Sequence, residues 1–314
     1  MQHFLFLRNM KATTSFFQGI KGGIKCGMLA LSFPLLVATG LLASQAQANE
    51  AGYPLDQFPV AKLTDNPALQ NGAKLFVNYC LNCHSATAMR YNRLQDIGLT
   101  EDQIRKNLLF TVDKVGEQMK TSMRPADAKE WFGALPPDLS VIARARASGE
   151  GSGPDWLYTY LRAYYRDGTR ATGWNNAVFP NVGMPHVLWE LQGARGASIE
   201  EVKEVKSDSK GAASKFMRTN IDFATDGTRT EKVEEIKEGH PHASSTLTLG
   251  KAQGGKLDQA SYDSDVADLV AYVTYMSDPS AKQRTRLGVW VVLFLVIFSF
   301  LAWNLNRIYW KDIK

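Results

Sequence analysis

The stretch that decides the fold is Cys80-Leu81-Asn82-Cys83-His84, because Cys-x-x-Cys-His is the attachment signature of c-type haem. A turn of helix with this spacing carries both thiols to one edge of a porphyrin, where they form thioethers. The adjacent imidazole then points at the iron. We therefore predict one covalently attached haem c, held by Cys80 and Cys83, with His84 as an iron ligand. Such a site indicates electron transfer.

Two other uses of a Cys-x-x-Cys pair compete with this interpretation: half of a zinc site and a thioredoxin-like redox pair. A zinc site needs further ligands, and the only other cysteine in the chain is Cys26. A redox pair of the thioredoxin type lies in a βαβ pattern, which the flanking sequence lacks. Neither alternative is therefore favoured.

The first 48 residues are typical of a signal peptide and are kept out of the fold. They contain four basic residues and no acidic one, an apolar run over residues 28–42, and the cleavage pattern Ala46-Gln47-Ala48. An uncleaved anchor is the alternative, but the small-residue site and the short apolar run favour cleavage. We predict a mature chain that begins near Asn49, without Cys26.

Residues 287–305 contain no charged side chain and predict a transmembrane helix. Aromatic residues near both ends suit the membrane interfaces: Trp290, Trp303, Tyr309 and Trp310. A buried core helix is the alternative, and it would show a polar stripe that this segment lacks. Basic residues flank both ends, so only the signal peptide orients the helix. We predict an exported domain over residues 49–281, and a membrane anchor with a short cytoplasmic tail over residues 282–314.

The predicted exported domain carries 26 basic and 30 acidic residues, a net charge of −4. This balance argues against nucleic acid binding and is compatible with a basic protein partner. Five glutamates are candidates for steering such a partner, although an ordinary solvated face is the simpler interpretation: Glu200, Glu201, Glu204, Glu234 and Glu235.

Hydrophobic periodicity predicts several helices in the exported domain. One helix starts at Asn66-Pro67, with Asn66 as its N-cap, and runs towards Cys80. Two others cover residues 156–165 and 264–276. Residues 197–259, the polar excursion, are predicted to be mostly solvated, with a small hairpin that turns at Asp226-Gly227.

The second axial ligand decides what a haem can do. A methionine thioether favours ferrous iron and electron transfer, whereas an open position permits ligand binding or peroxide chemistry. Met184 is the best candidate, because the sequence FPNVGMPH at residues 179–186 predicts a loop that can present one side chain. His186 is the rival ligand. His240 and His242 are expected to be exposed in the polar excursion.

The chain resembles the cytochrome c1 family, the haem subunits of ubiquinol–cytochrome c reductase, and in particular its proteobacterial members. Four segments carry the resemblance: the Cys-x-x-Cys-His motif, GALPPDLS at residues 133–140 leading to Arg144-Ala-Arg146, Gly183-Met184-Pro185, and the helix with its anchor over residues 265–314. Together they span most of the predicted mature chain.

This resemblance implies a mainly α fold, a class I cytochrome c core with irregular insertions, and Met184 as axial ligand. It also implies that Gly72 and Phe76 on the first helix cross the last helix at Leu269 and Tyr272. Arg146 would hold a haem propionate, and Pro136 and Pro137 would line the haem crevice. The haem domain would lie in the periplasm, anchored to the bacterial inner membrane.

The implied function is single-electron relay within a complex with cytochrome b, from a Rieske iron–sulfur protein to a cytochrome c. Three other classes compete with it. A di-haem peroxidase needs a second attachment motif, which the chain lacks, and a haem-based sensor needs an output domain. A free-standing anchored electron carrier is separated from the relay only by the resemblance.

Overall fold

The computed structural model describes residues 52–205, 215–236 and 242–311. The predicted signal peptide, Cys26 and His240 lie outside these residues. The described α-helices are α1 to α8: Asn66–Leu75, Glu101–Asn107, Pro125–Phe132, Ile142–Ala145, Gly153–Arg162, Trp189–Gln192, Gln259–Ser277 and Ala281–Tyr309. Two 3-10 helices, Val60–Thr64 and Tyr91–Ile97, lie beside α1. The strands are β1 to β10: Ala86–Arg90, Gln118–Met119, Tyr164–Arg166, Trp174–Asn176, Gly193–Ala194, Ala197–Val205, Lys215–Phe223, Arg229–Ile236, Ser244–Leu249 and Gln253–Gly254.

The crossing of α1 and α7 forms the centre of the main core. A Cβ atom at Gly72 would overlap the backbone of Asp268 and the side chain of Tyr272, so only glycine permits this approach. Phe76, just after α1, contacts Tyr272 with ring centroids 5.6 Å apart. The predicted contact of Gly72 and Phe76 with Tyr272 is therefore confirmed, and Leu269 is buried in the same core.

The start of α1 differs from the prediction by one residue. Asp65, with extended backbone, is the N-cap, and Pro67 lies in the first turn. Proline is tolerated there because the first N–H groups of a helix have no partner within it. Asn66 is therefore the first helical residue rather than the cap.

The haem motif follows a π-helical turn, Phe76–Cys80, which continues α1. The amides of Cys83 and His84 both donate to the Cys80 carbonyl, at 3.1 and 2.9 Å. This closed turn ends the helix. π-Helical turns are often found at functional sites.

Helix α5 begins and ends three residues earlier than predicted. A capping box starts it, because the side chains of Ser152 and Asp155 each accept from the other's backbone amide. At its other end, Tyr164 to Arg166 pair with β4 instead of continuing the helix. Strand pairing supplies the backbone partners that the helix would have supplied, so the local aromatic pattern does not decide the boundary.

The polar excursion is mostly solvated, as predicted, but its described residues form more sheet than the one hairpin that the sequence predicted. Strands β6 to β9 form an antiparallel sheet in the order β8-β7-β6-β9. The predicted hairpin is confirmed as β7 and β8, and Gly227 has a φ of +92° at its turn. One end of the sheet packs on the domain through Tyr165, Ala197 and Phe223. Apart from Val202, which is also buried, the rest of the sheet is half-buried or exposed, which explains why its composition is polar.

Helix α8 contains the predicted membrane segment. Gln283–Tyr309 is, among the described residues, the one helix long and apolar enough to cross a bilayer. Its large apolar side chains are exposed. Asp278, between α7 and α8, pairs with Arg284 at 2.6 Å and with Arg144 at 3.3 Å. These ion pairs connect the first turn of the anchor to the domain.

Candidate functional site

An apolar cavity of about 470 Å³ brings together seven residues that the sequence analysis assigned to haem binding: Cys80, Cys83, His84, Pro136, Pro137, Arg146 and Met184. Helices α5 and α7 supply its aliphatic wall, including Leu157, Leu161, Leu269, Val270 and Val273. The rest comes from the haem motif and from the two loops that carry the prolines and Met184. The site is therefore a mostly hydrophobic crevice with a few polar groups at defined points.

His84 is buried, and one contact shows which of its two ring nitrogens carries the proton. Its Nδ1 atom lies 2.7 Å from the carbonyl oxygen of Pro137. Since a carbonyl only accepts, Nδ1 carries the proton and the lone pair is on Nε2. Burial lowers the pKa of His84, although the Pro137 bond opposes this effect. The side chain is thus a neutral imidazole with one nitrogen available for a metal, the arrangement usual for ligating histidines.

The two cysteines of the motif are free thiols. Burial raises the pKa of Cys80 to about 12 and also raises the pKa of Cys83. Both therefore stay protonated at neutral pH. Within the part of the chain that the structure describes, no group of three or more His, Cys, Asp or Glu side chains could hold a metal ion. The pair fits thioether attachment better than a zinc site.

Met184 lies on the irregular segment between β4 and α6, as the Gly-Met-Pro pattern predicted. Its Sδ atom accepts from the hydroxyl of Tyr160 at 3.4 Å, and its carbonyl oxygen is 3.3 Å from the hydroxyl of Tyr164. The two hydroxyls are 2.7 Å apart. Burial raises the pKa of both tyrosines, so both hydroxyls keep their protons. Met184 is thus anchored through both its side chain and its backbone.

His186, the rival ligand, is buried in a different environment and is not among the residues that line the cavity. Its ring stacks on Tyr164 with centroids 4.6 Å apart and meets Trp174 edge-on at 4.9 Å. When the side-chain amide of Gln192 is oriented with its nitrogen towards His186, that nitrogen donates to His186 Nε2 at 2.7 Å. Burial lowers the pKa of His186 to about 3. These contacts account for His186 as a core residue and favour Met184 as the ligand.

Arg146 contributes a positive charge to the cavity wall. Its guanidinium lies 4.4 Å from the ring centroid of Trp156 and 5.9 Å from that of Phe179. It makes no ion pair with any carboxylate among the described residues, unlike Arg144 two positions earlier. A half-buried cation held by aromatic rings is suited to an incoming carboxylate. This arrangement fits a haem propionate.

Sequence reasoning missed Tyr160 and Tyr164. Tyr160 lies in the run WLYTYLRAYY that was interpreted only as an aromatic helix. The signal was available in the spacing, because Trp156, Tyr160 and Tyr164 follow each other at intervals of four residues. Trp156 stacks on Tyr160 with centroids 4.8 Å apart and planes within 13°. The sequence alone does not show that Met184 lies beside these aromatic side chains.

The acidic residues proposed to steer a partner are largely neutralised. Glu200 pairs with Arg218, Glu201 with Lys203, and Glu235 with Lys215, at 3.3, 2.8 and 3.0 Å. Such surface pairs compensate charge without adding much stability. Three of the five glutamates therefore contribute little to the electrostatic potential that a partner would meet. The interpretation as an ordinary solvated face is favoured.

The residues present fit a covalently attached haem. Two thiols, a neutral imidazole, a thioether and a guanidinium border one apolar crevice. In a c-type haem protein these groups would serve attachment, axial ligation and propionate binding.

Comparisons with known proteins agree with this geometry. The model of the Cytochrome C1 family matches residues 57–195. The chain is 38% identical over 287 residues to cytochrome c1 of Allochromatium vinosum, covering 91% of this chain and 98% of that protein. It is 39% identical over 279 residues to a Nitrosomonas europaea protein named ammonia monooxygenase gamma subunit, covering 89% of this chain and 97% of that protein. It is also 24% identical to the cytochrome b/c1 of Bradyrhizobium diazoefficiens, covering 93% of this chain and 41% of that longer protein.

Proposed function

Because this chain belongs to the cytochrome c1 family, we propose that it relays single electrons from a Rieske iron–sulfur protein to a cytochrome c. The chain is the haem subunit of a cytochrome bc1 complex and carries one covalently attached haem c. When bound, the haem supplies a one-electron ferric/ferrous couple. The protein supplies attachment, ligation, exclusion of water and the electrostatic setting.

The observation that carries the proposal is the convergence of both thiols, a neutral imidazole and a thioether on one apolar cavity. In the proposed site Cys80 and Cys83 would hold the porphyrin covalently. His84 would bind the iron through Nε2, with its ring fixed by the contact with Pro137. Met184 would be the second protein ligand, which would exclude exogenous ligands and favour the ferrous state.

Three further residues are proposed to shape the crevice. Pro136 and Pro137 cover one side of the haem, and rigid prolines limit the movement of that loop. Arg146 binds a propionate, with its guanidinium kept in place by Trp156. A fixed positive charge beside the haem favours the state with one more electron, so it raises the reduction potential.

The topology follows from the predicted signal peptide and from the anchor. Residues 49–281 form a periplasmic haem domain, and α8 holds it at the bacterial inner membrane with the C-terminus in the cytoplasm. This arrangement places the haem on the side where a Rieske protein and a cytochrome c exchange electrons. The family relationship supports cytochrome b as a partner.

Purification from membranes in mild detergent tests the proposed complex. The protein is expected to co-elute with cytochrome b and a Rieske protein in constant proportion. The proposal would be contradicted if the haem-loaded chain eluted alone and the fractions without this chain kept full quinol-dependent activity. A free-standing anchored carrier would be the remaining explanation in that case.

A further inference from the structure

Tyr160 is held in position by contacts on more than one side. Its ring stacks on Trp156, one helical turn earlier, with centroids 4.8 Å apart. Tyr164, four residues later, meets it edge-on at 5.4 Å. The carbonyl of Tyr160 accepts from the side-chain amide of Asn176 at 2.8 Å, which fixes the end of α5 against β4. The phenol is therefore preorganised, with little freedom to leave the cavity wall.

The hydroxyl of Tyr160 is 3.4 Å from Met184 Sδ and 2.7 Å from the hydroxyl of Tyr164, which in turn is 3.3 Å from the Met184 carbonyl. These are three contacts, but the two hydroxyls have only two protons to donate. In one arrangement Tyr164 donates to Tyr160, and Tyr160 donates to the sulfur. In a second, Tyr160 donates to Tyr164, and Tyr164 donates to the carbonyl. In a third, Tyr160 donates to the sulfur and Tyr164 to the carbonyl, which leaves the two hydroxyl oxygens 2.7 Å apart with no proton between them. The first arrangement places a proton on the thioether without this unfavourable oxygen–oxygen contact.

We propose that Tyr160 is a positioning residue for Met184, which orients the thioether and withdraws electron density from its sulfur through a hydrogen bond. This inference rests on the proposed function, because it takes Met184 as the axial ligand. A thioether has two lone pairs, so the sulfur can accept from Tyr160 while the other lone pair is given to a metal. The hydrogen bond makes the sulfur a weaker donor, and this destabilises the ferric state more than the ferrous state.

Removing the Tyr160 hydroxyl should therefore lower the reduction potential while the axial ligand stays in place. Loss of a hydrogen bond of this kind should change the equilibrium constant for one-electron reduction by about two- to tenfold. For a one-electron couple, tenfold corresponds to about 59 mV, which bounds the expected shift.

Tyr164 has the same chemistry but the opposite predicted effect, which makes it a matched control. In the Tyr164→Phe variant, the hydroxyl that competes for the Tyr160 proton is gone. Met184 Sδ is then the remaining acceptor among the contacts that the structure gives to the Tyr160 hydroxyl. The potential should stay unchanged or rise.

Redox titration of the haem-loaded protein, purified in its membrane complex, tests the inference. The variants are Tyr160→Phe, Tyr164→Phe and Met184→Leu, and the second readout is the ferric methionine-to-iron charge-transfer absorption band. We expect Tyr160→Phe to lower the potential and shift the band without abolishing it. We expect Tyr164→Phe not to lower the potential. Equal downward shifts in both tyrosine variants, or no shift in Tyr160→Phe, would overturn the inference.

The Met184→Leu variant separates this inference from the proposed function. If it changes neither the potential nor the band, Met184 is not the ligand and the proposed site itself fails. If it abolishes the band while Tyr160→Phe has no effect, only the role of Tyr160 is rejected. If the Tyr160→Phe protein does not accumulate in cells, Trp156→Phe replaces it in the test. That variant keeps the Tyr160 hydroxyl but weakens the stacking that holds the Tyr160 ring in place. It is expected to give a smaller downward shift, and no shift would count against the inference.

Discussion

The Nδ1 atom of His84 lies 2.7 Å from the carbonyl oxygen of Pro137, which is 53 residues further along the chain. This contact joins the haem motif to the loop that forms one wall of the crevice. The same loop is tied to the motif a second time, because the Leu139 amide donates to the Ser85 carbonyl at 2.8 Å. The orientation of the imidazole is therefore set by tertiary structure and not by the motif alone.

Carbon monoxide binding distinguishes the two candidates for the second axial position. Replacing Met184 with leucine should leave the haem attached but open the sixth position, so ferrous protein should bind carbon monoxide rapidly. Replacing His186 with phenylalanine should leave the native protein closed to carbon monoxide, because that ring packs between Tyr164 and Trp174. Difference spectra after addition of the gas provide the measurement. Rapid binding by the His186 variant alone would identify His186 as the ligand.

Replacing Arg146 with glutamine should lower the reduction potential, because the site loses a positive charge that favours the reduced state. Arg144→Gln is the matched control, since Arg144 is exposed and pairs with Asp278 instead. Potentiometric titration of both variants at the same ionic strength gives the comparison. Identical shifts in the two variants would show that overall charge, and not a propionate contact, is responsible.

The helix crossing at Gly72 should not tolerate a side chain. We expect Gly72→Val to destabilise the domain by about 2–3 kcal/mol, because the new atoms overlap the Asp268 backbone and the Tyr272 side chain. Gly116→Ala is the control, because nothing lies within 4 Å of a Cβ atom at that position. Denaturant unfolding of the haem-loaded proteins measures both changes. A Gly72 variant as stable as the control would refute the packing argument.

Asp155 should make stability depend on pH in the acidic range. Burial alone would raise its pKa, but hydrogen bonds from the Phe58 amide and from Ser152 outweigh this effect and hold the pKa below its usual value. A carboxyl with a depressed pKa in the folded state contributes stability above its unfolded pKa, about 3.9. This contribution is lost as the pH falls through the lower folded pKa.

The Asp155→Asn variant should therefore be less stable than wild type at neutral pH, and the difference should shrink as the pH falls below about 4. Thermal unfolding between neutral and acidic pH gives this difference directly. Asp102→Asn, in an exposed pair with Lys106, is the control and should change little across the range. A destabilisation by Asp155→Asn that is constant with pH would contradict the role of the ionised carboxylate.

The sequence predicted the parts of the site whose chemistry is local. Cys80, Cys83 and His84 follow from one motif, and the glycine at position 72 follows from the resemblance to known helix crossings. Met184 could be narrowed to one loop, because proline and glycine mark where a side chain is presented off a helix. The haem motif and the loop around Met184 need only residue type and spacing, whereas the role of Gly72 needs the resemblance.

The rest depended on contacts between distant segments. The four-stranded sheet was underestimated because most of its side chains are polar, and pairing between strands is not visible in composition. Helix α5 was shifted because Tyr164 to Arg166 pair with β4. Tyr160 was missed because its significance comes from Met184, 24 residues away in sequence. Tertiary pairing overrides local preference at each of these points.

The most direct test of the electron relay is reduction of the haem by ubiquinol in the purified complex, followed by rapid-mixing absorption spectroscopy. We predict that the haem of the wild-type protein takes up one electron before added cytochrome c is reduced. In the His84→Ala variant, quinol-driven reduction of cytochrome c should be abolished. Full turnover of that variant, or a wild-type haem that stays oxidised while cytochrome c is reduced, would contradict the account.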